Sequence, residues 1–292
     1  MNDDMFRPPR VFAGEHSKIT TLDEAKVVIL PVPYDSTTEY KGGTREGPQA
    51  IIDASQYLEL YDIELDRDIS EIGIHTLPEV QPLMSGPDSM VERVQRVTAD
   101  LLDKHKLPVM LGGEHTVTLG TVKALRERYP ELSVLYLDAH GDLRDEYMGT
   151  KYSHACVMRR VWGLCPIMPV GLRSISQEEH DFLEHNGIEP LYAEAFNSPG
   201  SIQNVVSRLS PHVYISIDLD VLDPSIMSAV GTPEPGGLNW QQVLELLRAV
   251  AERKHIVGFD LVELCPAEGP NSCAFLAAKL AYKLIGYATS SI

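Results

Sequence analysis

Three apolar, strand-like runs each end in residues of metal-ligand type, and this recurrence constrains the fold more than any other feature of the chain. Leu132–Tyr136 runs into Leu137-Asp138-Ala139-His140-Gly141-Asp142. Val213–Ile217 runs into Asp218-Leu219-Asp220, and Leu107–Leu111 into Gly112-Gly113-Glu114-His115. In extended chain, alternate side chains point to one side, so Asp138, His140 and Asp142 are predicted to converge at a strand end. Such groups are costly to desolvate together unless something compensates them, and a divalent metal does so most economically. A single Asp-x-His after a strand is more often a capped turn. Three strand ends of this kind argue instead for a site. Two imidazoles and four carboxylates form a hard N/O set, better suited to Mn²⁺ than to a thiolate-seeking ion.

Strands and helices alternate along the chain. Val27–Leu30 reads as a first strand, stopped by Pro31 and Pro33. Tyr34–Gly47 is a glycine-bearing loop, and Pro48 opens a helix whose apolar side is Ile51, Ala54, Leu58 and Leu60. Residues 61–86 read as irregular. A helix capped by Asp88 or Ser89 carries Val91, Val94, Val97, Leu101 and Leu102 at helical spacing. Further helices are predicted over Thr116–Arg128, His154–Trp162, from a Ser176 cap to Gly187, over Ile202–Leu209, from an Asn239 cap to Arg253, and over Ser272–Tyr287. Further strands are predicted over Ile167–Val170, Ile188–Tyr192 and His255–Val262. This alternation implies βαβ units and an α/β fold: a three-layer α/β/α sandwich around a central, mainly parallel sheet. In such sheets ligands sit beyond the carboxyl ends of the strands, where all three clusters lie.

Length and composition narrow the remaining choices. The 292 residues contain no linker-like or low-complexity stretch, so one domain is expected over residues 1–292, with 1–25 a polar surface arm. The apolar runs are strand-length, too short to span a membrane. A net charge of -17 argues against nucleic acid and anionic membrane as partners and favours a cationic ligand, although solubility alone accounts for most of it. The four cysteines form no CxxC pair and read as reduced thiols, which places the protein in the cytoplasm. The remaining histidines (His16, His75, His105, His180, His185, His212, His255) read as structural or surface residues.

The motifs carry a family resemblance. Gly112-Gly113-Glu114-His115, Asp138-Ala139-His140-Gly141-Asp142 and Ser216-Ile217-Asp218-Leu219-Asp220 resemble the signatures of the ureohydrolases, arginase and agmatinase among them. Asp220-Val221-Leu222-Asp223-Pro224, Gly231-Thr232-Pro233-Glu234-Pro235-Gly236-Gly237, Asp260-Leu261-Val262-Glu263 and the Gly43–Pro48 loop extend the match. The resemblance implies an arginase-like fold and two manganese ions, with Ni²⁺ or Co²⁺ as alternatives. One ion would be held by His115, Asp138, Asp142 and Asp218. The other would be held by His140, Asp138, Asp218 and Asp220, so that Asp138 and Asp218 bridge. Four carboxylates match the charge of two divalent ions; without metal they would repel and their pKa values would rise. A hydroxide bridging the metals is implied as the nucleophile. Its target, a guanidinium carbon, is a poor electrophile because the cation is resonance-stabilised. Glu263 is implied to pair with guanidinium nitrogens, His154 to shuttle protons to solvent, and Asp142 to protonate the leaving amine. A homotrimer or homohexamer is implied as well.

The stretch after Asp142 bears on the substrate. Leu143-Arg144-Asp145-Glu146-Tyr147-Met148-Gly149-Thr150-Lys151 lacks the Asn and Ser with which arginases grip an α-carboxylate. Asp145 and Glu146 are expected to repel a carboxylate and to suit a small cationic guanidino substrate. Agmatine, cleaved to urea and putrescine, is the leading candidate, and the stretch resembles prokaryotic agmatinases. Ser153-His154-Ala155-Cys156 stands where agmatinases often have His-Gly-Thr, which keeps aminopropyl-agmatine, guanidinobutyrate, guanidine and arginine open. Two other classes remain to be weighed. A single-zinc deacetylase-type hydrolase would lack the full set Asp138, Asp142, Asp218 and Asp220. A non-catalytic metal-binding homologue would give Glu263 and His154 no reason to accompany the ligands.

Overall fold

The computed structural model describes residues 10–14 and 20–290. Its central sheet has seven strands: β1 (Val27–Val32), β4 (Ile74–Thr76), β5 (Leu107–Gly112), β6 (Leu132–Leu137), β7 (Ile167–Val170), β8 (His212–Asp218) and β9 (His255–Val262). Their spatial order is β4-β1-β5-β9-β8-β6-β7, and every pairing is parallel. The central strands read as continuous apolar runs because both faces are covered: β1 and β6 are buried at every position. Helices α1 (Gly47–Ser55), α2 (Pro87–Asp103), α3 (Thr118–Arg128), α4 (Val157–Trp162), α5 (Gln177–His185), α6 (Ser201–Arg208), α7 (Trp240–Ala251) and α8 (Asn271–Ala288) make the crossovers. Against one face pack α1, α6, α7 and α8 with Ile51, Val205, Leu246 and Leu280; against the other pack α2, α3 and α4 with Val91, Val122 and Met158. The predicted three-layer arrangement is therefore present.

Local signals set most helix ends where expected. Ser176 and Asn239 each close a reciprocal capping box, with Glu179 and Gln242 respectively. Four expectations need correction. α1 stops at Ser55, so Leu58 and Leu60 are buried beyond it and not along its face. α2 starts at Pro87, with Gly86 in the cap position and no side-chain cap, so Asp88 and Ser89 already lie within the first turn and cannot cap it. Residues 61–86 are not wholly irregular. They hold a small hairpin, β2 (Tyr61–Asp62) with β3 (Arg67–Asp68), and the edge strand β4. Ile188–Tyr192 forms only an isolated bridge, Val170 to Leu191, in place of a strand. Much of the expected arm lies outside the described residues. Its described piece is tucked in: Phe12 is buried, and the Phe12 and Ala13 N–H groups donate to Thr76 Oγ1 and Ser55 Oγ.

The carboxyl ends of β5, β9, β8 and β6 lie side by side in the sheet. They bring together His115, Glu263, Asp218 and Asp138, residues up to 148 apart in the chain. The β1 loop joins them from the flank. Gly113 N–H donates to the Val32 carbonyl, and Glu114 N–H to that of Tyr34. A Cβ at residue 113 would stand 2.0 Å from the Tyr34 oxygen, so glycine is required for this approach.

Candidate metal centre and active site

The ligand geometry begins with turns. β6 ends at Leu137, so Asp138-x-His140-x-Asp142 is not extended chain, and strand alternation does not converge these groups as the sequence pattern suggested. Asp138 Oδ1 instead accepts the His140 N–H at 2.6 Å, and Asp218 Oδ1 accepts the Asp220 N–H at 2.9 Å. These Asx turns occupy one carboxylate oxygen and leave the other facing its neighbours. Asp142 takes a left-handed conformation, φ 54°, which aims its side chain back at His115. A capped turn and a convergence of ligand-type groups thus coexist at Asp-x-His, since the turn is what aims the free carboxylate oxygen.

Three carboxylate oxygens surround His115 Nδ1: Asp142 Oδ2 at 3.0 Å, Asp138 Oδ2 at 3.2 Å and Asp218 Oδ2 at 3.5 Å. On the adjacent side, His140 Nδ1 lies 2.8 Å from Asp220 Oδ2 and 3.7 Å from Asp138 Oδ1. Two groups of convergent ligand atoms result, His115-Asp138-Asp218 and Asp138-His140-Asp220, sharing Asp138. Apart from His140 all these ligands are buried. His115 Nδ1 and Asp138 Oδ2 are buried and have no hydrogen-bond partner. Orphaned ligand atoms, an all-N/O donor set and four clustered carboxylates fit a pair of divalent cations.

The protein electrostatics point the same way. Burial pushes the Asp138 and Asp218 carboxyls well above the ordinary range; Asp142 and Asp220 push Asp138 further, and Asp220 and Asp138 push Asp218 further. Burial opposes charge on His140, but Asp220, Asp138 and Asp142 outweigh it and carry its pKa up to about 11. His115 also rises, because Asp138, Asp142 and Asp218 overcome its burial. The cluster calls for positive charge, as protons or as cations.

Outer partners fix the first imidazole. His115 Nε2 lies 2.9 Å from Ser216 Oγ, and Ser216 donates to Asp260 Oδ1 at 2.7 Å. Asp260, fully buried, also accepts from Thr118 Oγ1 and Tyr214 OH at 2.8 and 2.6 Å. The Ser216 proton is committed to Asp260, so Nε2 must be the donor toward Ser216 and Nδ1 keeps the lone pair for a cation. On the other side Arg173 ties the turn of Asp220 to the 230s loop, donating to the Asp220 and Glu234 carbonyls at 2.6 and 2.9 Å.

A cavity of about 280 Å³ opens over the cluster. His140, Asp142, Asp218, Asp220, His154 and Glu263 line its inner part. Glu263, also in a left-handed conformation at φ 66°, accepts the His115 N–H at 2.6 Å. Asp142 and Glu263 thus put two left-handed non-glycine residues at one site. Asp145 and Glu146 do not line this cavity. Asp145 is held by Arg160 at 2.6 Å with Lys151 at 3.5 Å, and Glu146 is exposed. Glu39, Lys41, Arg144 and Tyr147 form the outer wall instead. Lys41 is paired with Glu268. Glu39 accepts from the Tyr147 hydroxyl, while the Arg144 guanidinium lies 5.1 Å from the Tyr147 ring centre. The Glu39–Tyr147 and Lys41–Glu268 pairs were not legible from local sequence, because their partners lie 108 and 227 residues apart.

Comparison with known proteins gives a consistent picture. The Arginase family profile matches residues 25–286. An N(1)-aminopropylagmatine ureohydrolase of Synechocystis sp. is 40% identical over 94% of this chain and 92% of its own length. An agmatinase of Pyrococcus horikoshii is 38% identical over 92% of this chain and 95% of its own length. The crystal structure of the agmatine ureohydrolase of Thermoplasma volcanium superposes with a TM-score of 0.88 at 32% identity, covering 98% of this chain and 96% of that one.

Proposed function

This chain belongs to the arginase family of guanidino hydrolases, and we propose from that premise that it cleaves agmatine to urea and putrescine. The observation that carries the proposal is the pair of ligand groups sharing Asp138, set beneath a cavity that also receives Glu263 and His154. Manganese is the proposed ion at both positions, held by His115, Asp138, Asp142 and Asp218 on one side and by His140, Asp138, Asp218 and Asp220 on the other. Such ions supply Lewis acidity and bring the ionisation of water toward neutral pH. Glu263, anchored on the His115 N–H, orients the planar guanidinium over the cluster. Asp142 passes a proton taken from the attacking water to the departing amine nitrogen, which leaves with it, and His154 at the cavity wall moves a proton to or from solvent as the amine leaves. The rest of the proposal is a homotrimer or homohexamer in the cytoplasm, built from a single domain over residues 1–292.

The tail preference rests on different residues from those the sequence suggested. Asp145 is neutralised by Arg160 and Lys151, so the acid available to a substrate tail is Glu39. Arg144 is the opposing cation, and it would favour an anionic tail. Relatives named agmatinase and aminopropylagmatine ureohydrolase at 38% and 40% identity tip the balance to a cationic tail. The second of those names supports a longer polyamine tail as the alternative substrate. The test is urea release from agmatine, aminopropylagmatine, arginine, guanidinobutyrate and guanidine under one set of conditions. The best substrate is expected to be agmatine, with kcat/KM about 100-fold above arginine, equivalent to roughly 3 kcal/mol for a carboxylate set against Glu39. A preference for aminopropylagmatine would extend the tail site. A preference for guanidinobutyrate would mean that Arg144 dominates, and one for guanidine that no tail is recognised.

A further inference from the structure

We propose that Thr37 and Glu114 are positioning residues for His154, fixing its tautomer so that Nε2 is the nitrogen that exchanges protons in the cavity. The inference rests on the proposed proton-carrying role of His154. Glu114 is completely buried, yet neither ligand group includes it. Both its oxygens are turned to one residue of the β1 loop. Oε2 accepts the Thr37 N–H at 2.6 Å, and Oε1 accepts the Thr37 hydroxyl at 2.9 Å. A hydroxyl has a single proton, and here Glu114 takes it. Toward every other neighbour Thr37 Oγ1 can only accept. It accepts the backbone N–H of His154 at 3.1 Å and lies 3.4 Å from His154 Nδ1; the Thr116 hydroxyl, also 3.4 Å away, bonds Glu114. Neutral His154 must therefore carry its proton on Nδ1, which leaves the lone pair on Nε2. The Tyr147 ring stands edge-on to the imidazole, centroids 6.1 Å apart at 83°, and limits its rotation. The close approach at Gly113 holds the Thr37 loop against the Glu114 turn and so sets this relay. Burying the Glu114 carboxylate at the head of this chain costs desolvation, which a loop anchored only for stability could avoid with apolar packing.

Two substitutions test the relay. Thr37→Val removes the hydroxyl at nearly constant volume, and Thr37→Ser keeps it. Thr37→Val is expected to keep its metal content and KM but to lose about 10–100-fold in kcat, by analogy with the range for outer partners that orient metal-bound histidines. The limb of its kcat–pH profile that reports His154 is expected to move, and Thr37→Ser to restore both kcat and profile. An unchanged kcat and pH profile in Thr37→Val overturns the proposal, as does a Thr37→Ser variant as impaired as valine. His154→Ala, measured alongside, separates the two levels. If it turns over normally, the proton role of His154 fails and the relay with it; if it is slow while Thr37→Val is normal, only the relay fails. Should Thr37→Val not fold, nitrogen NMR of the unmodified protein loaded with Mg²⁺ reads the tautomer directly. A protonated Nδ1 is expected, and a protonated Nε2 overturns the assignment.

Discussion

Asp138→Ala is expected to lose bound metal and urea release together. Asp138 is common to both ligand groups; its Oδ2 faces His115 Nδ1 at 3.2 Å and its Oδ1 faces His140 Nδ1 at 3.7 Å. Removing it takes a ligand from both positions and leaves three carboxylates to hold two divalent charges. Loss of an outer-sphere partner alone costs about 10–100-fold in metal affinity or activity, so loss of a shared ligand should exceed about 10³-fold in kcat/KM. Asp138 Oδ1 also closes the Asx turn to the His140 N–H, so alanine could act by loosening that turn. Asp138→Asn separates the two effects, because its amide oxygen keeps the turn while its charge is gone. Metal analysis of the purified variants, with circular dichroism for the fold, is the check. Two metals per chain and normal turnover in either variant would contradict the shared-ligand role.

His154→Ala is expected to leave metal content intact and to slow turnover by about 10²–10⁴-fold, the usual contribution of a general acid–base group. The physical reason is separation of tasks. His154 lines the cavity but belongs to neither ligand group, so the metals should bind without it. Without a titratable carrier at the wall, each proton must pass between the buried cluster and solvent unaided. Added imidazole is expected to recover part of the rate, and KM to change little, because the role proposed for His154 is to move a proton and not to grip the guanidinium. Pre-steady-state and steady-state urea release, with and without imidazole, measure this. Unchanged turnover would make His154 a wall residue only.

The fold was legible because its signals are periodic and repeated. Continuous apolar runs of strand length, separated by capped amphipathic helices, leave few arrangements besides a parallel sheet with both faces covered. β4 was missed because three residues at a sheet edge, two of them His75 and Thr76, carry no apolar run. Ile188–Tyr192 reads as a strand in sequence, but Pro190 lies within it and it forms a single bridge, Val170 to Leu191. The six candidate ligands were legible because their motifs are local: Asx turns relate Asp138 to His140 and Asp218 to Asp220, and the parallel sheet brings these strand ends beside that of β5.

The outer wall was illegible for the opposite reason. Thr37 meets His154 across 117 residues, Tyr147 meets Glu39 across 108, and Lys41 meets Glu268 across 227. Asp145 shows how adjacency misleads. It follows the ligand motif closely, but Arg160 on α4 captures its carboxylate and draws its pKa down, so it is spent before a substrate arrives. Sequence order gives the sign of a loop's charges, whereas only the packed structure gives their direction.

The most direct test of the account is a metal titration read by urea. Protein stripped with a chelator is mixed with increasing Mn²⁺, and bound metal and urea release from agmatine are followed on the same samples. The expected result is near-zero urea release without metal, rising to saturation as two equivalents bind per chain. Two equivalents bound with no urea released from agmatine or any other guanidino compound of the panel would contradict it.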